Sequence, residues 1–268
     1  MGPMAWAAAD GPLPHDAISR LSGSANADQV AFLPFLEVVD GCQPYSAVQD
    51  DGSYSGGLKN SGSEAGACKD DRSGQAVVRT RCDAAGVCAH LYALYFPKDQ
   101  GMLGSVATPG LGHRHEWENV VVWVEERVVV AVSFSQHGGY EVREPDEIVM
   151  RGTSVSAEYG TGGGLTHSFR PGRGVGSAMP SPVSWESITF AARRTLNSPE
   201  IFDAADFQAR DDNFDTNLAK ARPSWLRAMS GADPGADLGL TPALTSVSPR
   251  PHPGGEAEHL VGNGPRRG

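Results

Sequence analysis

The run "WENVVVWVEERVVVAVSF", residues 117 to 134, constrains the fold more than any other part of the chain. Two blocks of valine and other β-formers flank a short acidic break. Such side chains are stiff at χ1 and suit a pleated sheet better than a helix. The pattern predicts strands over Trp117 to Val124 and Arg127 to Phe134, with Glu125 and Glu126 turning them into a hairpin. Similar runs predict strands at Ala76 to Arg81 and Cys88 to Phe96, the second closed by Pro97. A long loop, "KDQGMLGSVATPGLG", then carries the chain past Asp99 to Gly112. With 33 glycines and 19 prolines around such strands, the chain reads as loop-rich and mainly β, an antiparallel sandwich or barrel with a few flanking helices. One helix is expected after Ser184 as cap, with Trp185, Ile188, Ala192 and Leu196 at helical spacing. A second is expected from Asp212 as cap to Ala221, stopped by Pro223.

The ends differ in composition from the middle. Residues 1–30 are rich in Ala, Gly, Ser and Asp without period, and residues 228–268 are rich in Pro and Gly, so both are expected to be flexible around one domain at 31–227. A net charge of −10 argues against nucleic acid as a partner. No apolar run approaches the ~20 residues a spanning helix needs. The opening "MGPMAWAAADGPLP" has neither a basic region nor a continuous apolar stretch, so no secretory signal is read in it.

Cys42, Cys68, Cys82 and Cys88 nevertheless lie close together and are even in number, which favours an oxidising compartment. Four cysteines allow three pairings. The Gly-containing turn "DAAGV" favours Cys82 with Cys88, leaving Cys42 for Cys68, though arithmetic alone does not choose. A cysteine zinc site is the rival, weakened by the absence of any C-x-x-C pair.

Ahead of the valine run stands "GHRHEWE", residues 112 to 118. Strand alternation puts Glu116 and Glu118 on one face and His115 and Trp117 on the other. Two carboxylates on one face repel unless a proton or cation lies between them, and Mg²⁺ or Ca²⁺ accepts such oxygens. His113, swung from the loop beyond Gly112, and Asp99 at the far end of that loop are the further candidate ligands. The bland alternative is a solvated face of surface ion pairs. A functional alternative takes His113, His115 and Glu118 as the triad of a cupin-like metalloenzyme binding Fe or Zn, and a weaker one makes Glu116 and Glu118 a glycosidase pair. No nucleophile elbow, P-loop, H-E-x-x-H or dinucleotide fingerprint is present, so an enzyme is not expected.

"GHRHEWE" resembles the G-H-R-H-D-W-E heptapeptide of the necrosis- and ethylene-inducing-peptide-like proteins, secreted cytolysins of plant-associated microbes. "DGCQPYSAV", "SGGLKNSG", "LYFPKD", "QHGGY", "WESITFAARRTL" and "DDNFDTNLAKARP" follow the family's order, and the resemblance covers about residues 32–223. It implies a β-sandwich similar to actinoporins and fungal lectins. The implied activity is binding of glycosylated sphingolipid head groups at plant plasma membranes, with necrosis and plant immune receptors as downstream consequences and partners. It also implies secretion, the signal peptide being removed from or absent in this chain. A divalent cation, Mg²⁺ or Ca²⁺, would be held by Asp99, His113, Glu116 and Glu118, and His137 and His167 would stand at the sugar-binding rim. The family's cysteine pair falls on Cys42 and Cys68, with Cys82 and Cys88 resembling the second bridge of some members.

Three departures qualify the resemblance. Glu116 stands where aspartate is usual, and the loop from Asp99 to His113 is longer than in well-known cytolytic members. In "GTGGGLTHS", glycine replaces a tryptophan ahead of His167. An indole is a natural interface anchor, so its loss implies a weakly toxic or non-toxic member. Met102, Leu103 and Val106 in the long loop are the alternative membrane contact.

Overall fold

The computed structural model of the chain describes residues 12–69, 74–101, 112–162, 166–202, 205–229 and 241–242. The first part of the chain holds β1 (Pro12–Leu13), α1 (Ala27–Ala31), β2 (Phe35–Val38) and β3 (Tyr54–Ser55). Then follow β4 (Ala76–Cys82), β5 (Cys88–Asp99), β6 (His113–Glu125), β7 (Val128–Gln136) and β8 (Gly139–Arg143). The last part holds β9 (Met150–Arg151), β10 (Ser154–Gly160), β11 (Ser168–Pro171), β12 (Ser177–Ala178) and β13 (Pro182–Ser184), then α2 (Phe190–Leu196), α3 (Phe214–Ala221), α4 (Ser224–Met229) and β14 (Thr241–Pro242).

Two sheets make a sandwich. The larger has the order β13-β4-β5-β6-β7-β8, with β14 beside β4, and the smaller has β11-β10-β2-β12, with β9 beside β10. Across their interface Phe96 stacks on Tyr159 at 3.8 Å, and Phe169 packs against both rings. The other face of the large sheet is covered by Phe202 and Phe207, both against Trp117. The central strands β5 and β6 are thus buried on both sides, which explains why they read as continuous apolar runs rather than alternating ones.

The strands of the meander β4 to β8 are antiparallel, as expected. The sheets as a whole are mixed: β2 pairs with β10, and β4 with β13, in parallel. Both parallel pairs join segments far apart in the chain, which local pattern does not reveal. Pro97 does not end β5. The strand continues to Asp99, opposite His113, because a proline only withholds an N–H, and its carbonyl still accepts from the Leu58 amide. The hairpin turn falls one residue later than expected, on Glu126 and Arg127, both at positive φ, the requirement of a tight two-residue turn.

The N-terminal boundary also moves. From Pro12 onward the chain packs against the domain: Ile18 and Leu21 are buried, and the Leu21 backbone exchanges two hydrogen bonds with the Gln75 amide. Residues 12–30 are therefore part of the packed unit rather than a flexible segment. Of the C-terminal tail, Thr241–Pro242 pairs with Arg81 and Cys82. Ser184 belongs to β13, so the first long helix begins later, capped by Thr189, whose hydroxyl accepts from the Ala192 amide at 3.1 Å. The N-cap of the second falls on Asn213 rather than Asp212, and the helix begins at Phe214. Among the described residues no helix is long and apolar enough to cross a membrane.

The four cysteines form Cys42–Cys68 and Cys82–Cys88, the latter joining cross-strand partners of β4 and β5. No cysteine is left for zinc.

His90, on β5, is a packed strand residue. It pairs with Thr80 across β4 and β5, bonds its hydroxyl through Nδ1 at 2.9 Å and stacks on Phe32. Burial pushes its imidazole down to about 4, against a weaker opposing pull from Asp28. The folded state therefore binds this proton less readily than the unfolded chain. Its stability should fall as pH drops below the ordinary histidine value, with the full cost of about 3 kcal/mol reached near pH 4. Urea titrations at pH 7 and pH 4 test this: His90→Gln should remove that share of the acid-induced loss, and an identical loss in both proteins would refute it.

Candidate functional site

The site forms where β5 ends and β6 begins. Asp99 and His113 are cross-strand partners at one end of the central strands β5 and β6. Strict alternation would place His113 with His115, away from Glu116. That does not happen, because His115 adopts a left-handed backbone, φ +62°, and interrupts the alternation. One ligand atom from each of Asp99, His113 and Glu116 consequently lies within 4.8 Å of the others. His113 reaches the cluster through this backbone reversal at the start of a strand, not by swinging from a loop.

Each member is oriented by its neighbours. The His113 Nδ1 lies 2.7 Å from the His115 carbonyl, which can only accept, so Nδ1 carries a proton. The Nε2 edge is turned to Glu116, 3.4 Å from its Oε2. Glu116 Oε1 accepts from the Trp117 amide at 2.9 Å. Asp99 Oδ1 accepts from both the backbone N and the Nδ1 of His167, at 3.1 and 2.6 Å, while its Oδ2 is buried with no hydrogen-bond partner among the described residues. Glu118, on the same face as Glu116, accepts from the Ser135 hydroxyl.

Three carboxylates in one buried place are electrostatically unfavourable. Burial, then the charges of Glu118 and Asp99, push the Glu116 carboxyl well above the ordinary carboxylate range. Glu118 is pushed the same way by burial and by Asp99, against the opposing Ser135 bond. The donor set of carboxylate oxygens and one imidazole nitrogen fits a hard divalent cation, and the unpartnered Asp99 Oδ2 is the kind of atom such an ion satisfies.

Beside the cluster lies a cavity of about 280 Å³. Asp99, His113, Glu116 and Glu118 line one side, and Gln208, Asn217 and Lys220 line the other. Behind its lining the Trp117 Nε1 and Gln208 Oε1 are buried without hydrogen-bond partners among the described residues. His137 also lines the cavity, exposed on a tight turn, with Nδ1 3.0 Å from the Thr166 hydroxyl. His167 lines the same cavity from behind Asp99: it is 2% exposed, and its ring is the partner of that carboxylate.

His115 faces away from the cluster. Its Nδ1 is 2.6 Å from the Tyr95 hydroxyl and its ring meets Phe202 edge-on, so the triad of His113, His115 and Glu118 is not assembled. Gly163, which replaces the loop tryptophan, and Met102, Leu103 and Val106 lie outside the described residues. Sequence reasoning missed Asp40, Ser135, Gln208, Asn217 and Lys220 as neighbours of the site. Asn217 and Lys220, three apart on α3, carried a one-face signal; Asp40 and Ser135 carried none.

Residues 26–221 match the family described as Necrosis inducing protein (NPP1). The chain belongs to this family. It is 36% identical to NLP effector protein 1 of Phytophthora capsici over 196 residues, 72% of this chain and 81% of that protein. A structure described as a toxin fold as basis for microbial attack and plant defense superposes with TM-score 0.70 at 37% identity, covering 78% of this chain and 99% of the other. NLPPya in complex with glucosamine superposes with TM-score 0.68 at 35% identity, covering 79% and 99%. The non-toxic HaNLP3 protein does so with TM-score 0.69 at 34% identity, covering 78% and 99%. The sandwich described above is thus the family's fold, which a toxin and a non-toxic protein share.

Proposed function

We propose that this protein is a secreted effector that binds sugar head groups of glycosylated sphingolipids at plant plasma membranes, using a divalent cation, Mg²⁺ or Ca²⁺, and that it acts by binding rather than by catalysis. The carrying observation is that the carboxylate cluster opens directly into a polar cavity that His137, Gln208, Asn217 and Lys220 also line. Polar side chains converging on a cavity suit a ligand dense in hydroxyls. The aminosugar complex of NLPPya, a protein of the same fold at 35% identity, supports a sugar as the occupant.

In this reading Asp99, His113, Glu116 and Glu118 would hold the cation, which would offset the carboxylate charge and supply a positive centre for sugar oxygens. His137 and the α3 side chains contact the rest of the head group from the rim. The two disulfides fit an extracellular setting, where plant immune receptors are further partners.

Membrane rupture needs more than head-group binding, namely apolar surface inserted into the interface. "GTGGG" supplies almost none. The family's fold serves both toxins and the non-toxic HaNLP3, so fold alone does not decide toxicity. The expected result is cation-dependent sedimentation with vesicles containing plant glycosylated sphingolipids, but dye leakage well below that of cytolytic relatives. Sedimentation unaffected by a chelator would remove the cation from the reading, and leakage equal to the strong toxins would shift the membrane contact to another segment, with Met102, Leu103 and Val106 the first to test.

A further inference from the structure

The imidazole of His167 lies between two carboxylates. On one edge its Nδ1 donates to Asp99 Oδ1 at 2.6 Å, and on the other its Nε2 lies 3.1 Å from Asp40 Oδ1. The second contact is close but off the hydrogen-bond direction, so Asp40 acts there as a charge beside the ring rather than as an in-line acceptor. Asp40 is itself held firmly. Its two oxygens accept from the Thr161 amide at 2.8 Å and the Thr161 hydroxyl at 3.1 Å.

The surrounding packing leaves the ring one orientation. Gly41 has φ +81°, and a Cβ there would come within 2.3 Å of His167 Nε2, so the turn after Asp40 approaches the ring as only glycine permits. Cys42, next in the chain, is tied to Cys68. Tyr159 stacks on the ring at 5.1 Å. A ring turned over about its bond to Cβ would replace the Nδ1–H facing Asp99 with a carbon-bound hydrogen.

We propose that Asp40 is a positioning residue for the cation site: it holds His167 in the orientation that engages Asp99 Oδ1 and leaves Oδ2 free for the ion. The proposal rests on the reading of Asp99 as a cation ligand. Residues that orient ligands in this way typically change metal affinity by about 10–100-fold when replaced.

Calorimetric Ca²⁺ titration of four proteins tests it: the unmodified chain, Asp40→Asn, His167→Gln and the double variant. Asp40→Asn should weaken Ca²⁺ binding about tenfold with little change in melting temperature. In the His167→Gln background the same replacement should change affinity less than about twofold, since the route through the ring is already cut. Equal weakening in both backgrounds would show a through-space or general structural effect and overturn the proposal. If the unmodified chain binds no Ca²⁺ at millimolar concentration, the cation reading fails, and the positioning role is decided by NMR. The His167 Nδ1 proton, bonded to Asp99, should then exchange with solvent at least about tenfold faster in Asp40→Asn than in the parent. Unchanged exchange would overturn the role of Asp40 itself.

Discussion

Glu118→Gln should lower divalent-cation affinity by two to three decades, a loss of about 3–4 kcal/mol, the scale on which one partner of a buried charge pair is missed. The same replacement should raise the melting temperature of chelator-treated protein by a few degrees. Both effects have one cause. Glu118 is 6% exposed, shares its face with Glu116, and contributes to the charge that pushes the Glu116 carboxyl upward. With a cation present that charge is what binds the ion. Without one it is uncompensated repulsion, which a neutral amide of equal shape relieves, while the amide oxygen still accepts from the Ser135 hydroxyl. Calorimetry with Ca²⁺ and Mg²⁺, and thermal unfolding in chelator, read the two halves separately. A variant that lost affinity and was also destabilised without metal would point to a structural role for Glu118 and against a cation site.

Much of this site was legible because its chemistry is concentrated in a few consecutive residues. Glu116 and Glu118 sharing a face follows from strand periodicity alone, and the cavity wall holds both. The strand cores were equally readable, since Val120 to Val124 and Val128 to Phe134 are β-branched and aromatic in the main. What escaped were features that depend on distant chain segments or on single backbone angles. The left-handed backbone of His115 has no signal in its neighbours, so His113 was assigned to a mobile arm when it stands on a strand. His167 does line the cavity, but nothing local reveals that Asp99, on β5, would claim its imidazole. Pro97 looked like a stop because proline's missing donor is harmless only where no partner requires it. The cavity's far wall, on α3, reaches the cluster by packing across the sheet and not by any motif.

His115 carries the clearest division between fold and function. His115→Ala should cost about 4 kcal/mol of stability, seen as a melting temperature lower by about 10 °C, yet change Ca²⁺ affinity less than about threefold. The stability cost follows from the ring's surroundings. It is 4% exposed, packed at 5.5 Å edge-on to Phe202 and at 5.8 Å to Tyr95, and its Nδ1 meets the Tyr95 hydroxyl at 2.6 Å. Truncation leaves a cavity under two aromatic rings and removes one of two polar partners of that hydroxyl, the other being Ser55. The contribution to the cation cluster comes from the His115 backbone, whose carbonyl orients His113, and alanine keeps that carbonyl. Strand pairing on either side, Arg114 with Lys98 and Glu116 with Phe96, pins the local backbone, so the left-handed angle should survive at the modest cost any L-residue other than glycine meets there. His115→Gly, which removes that cost, should match alanine in Ca²⁺ affinity. A loss of affinity as large as that of Glu118→Gln would instead make His115 a ligand, restoring the two-histidine site and, with it, the case for Fe or Zn chemistry.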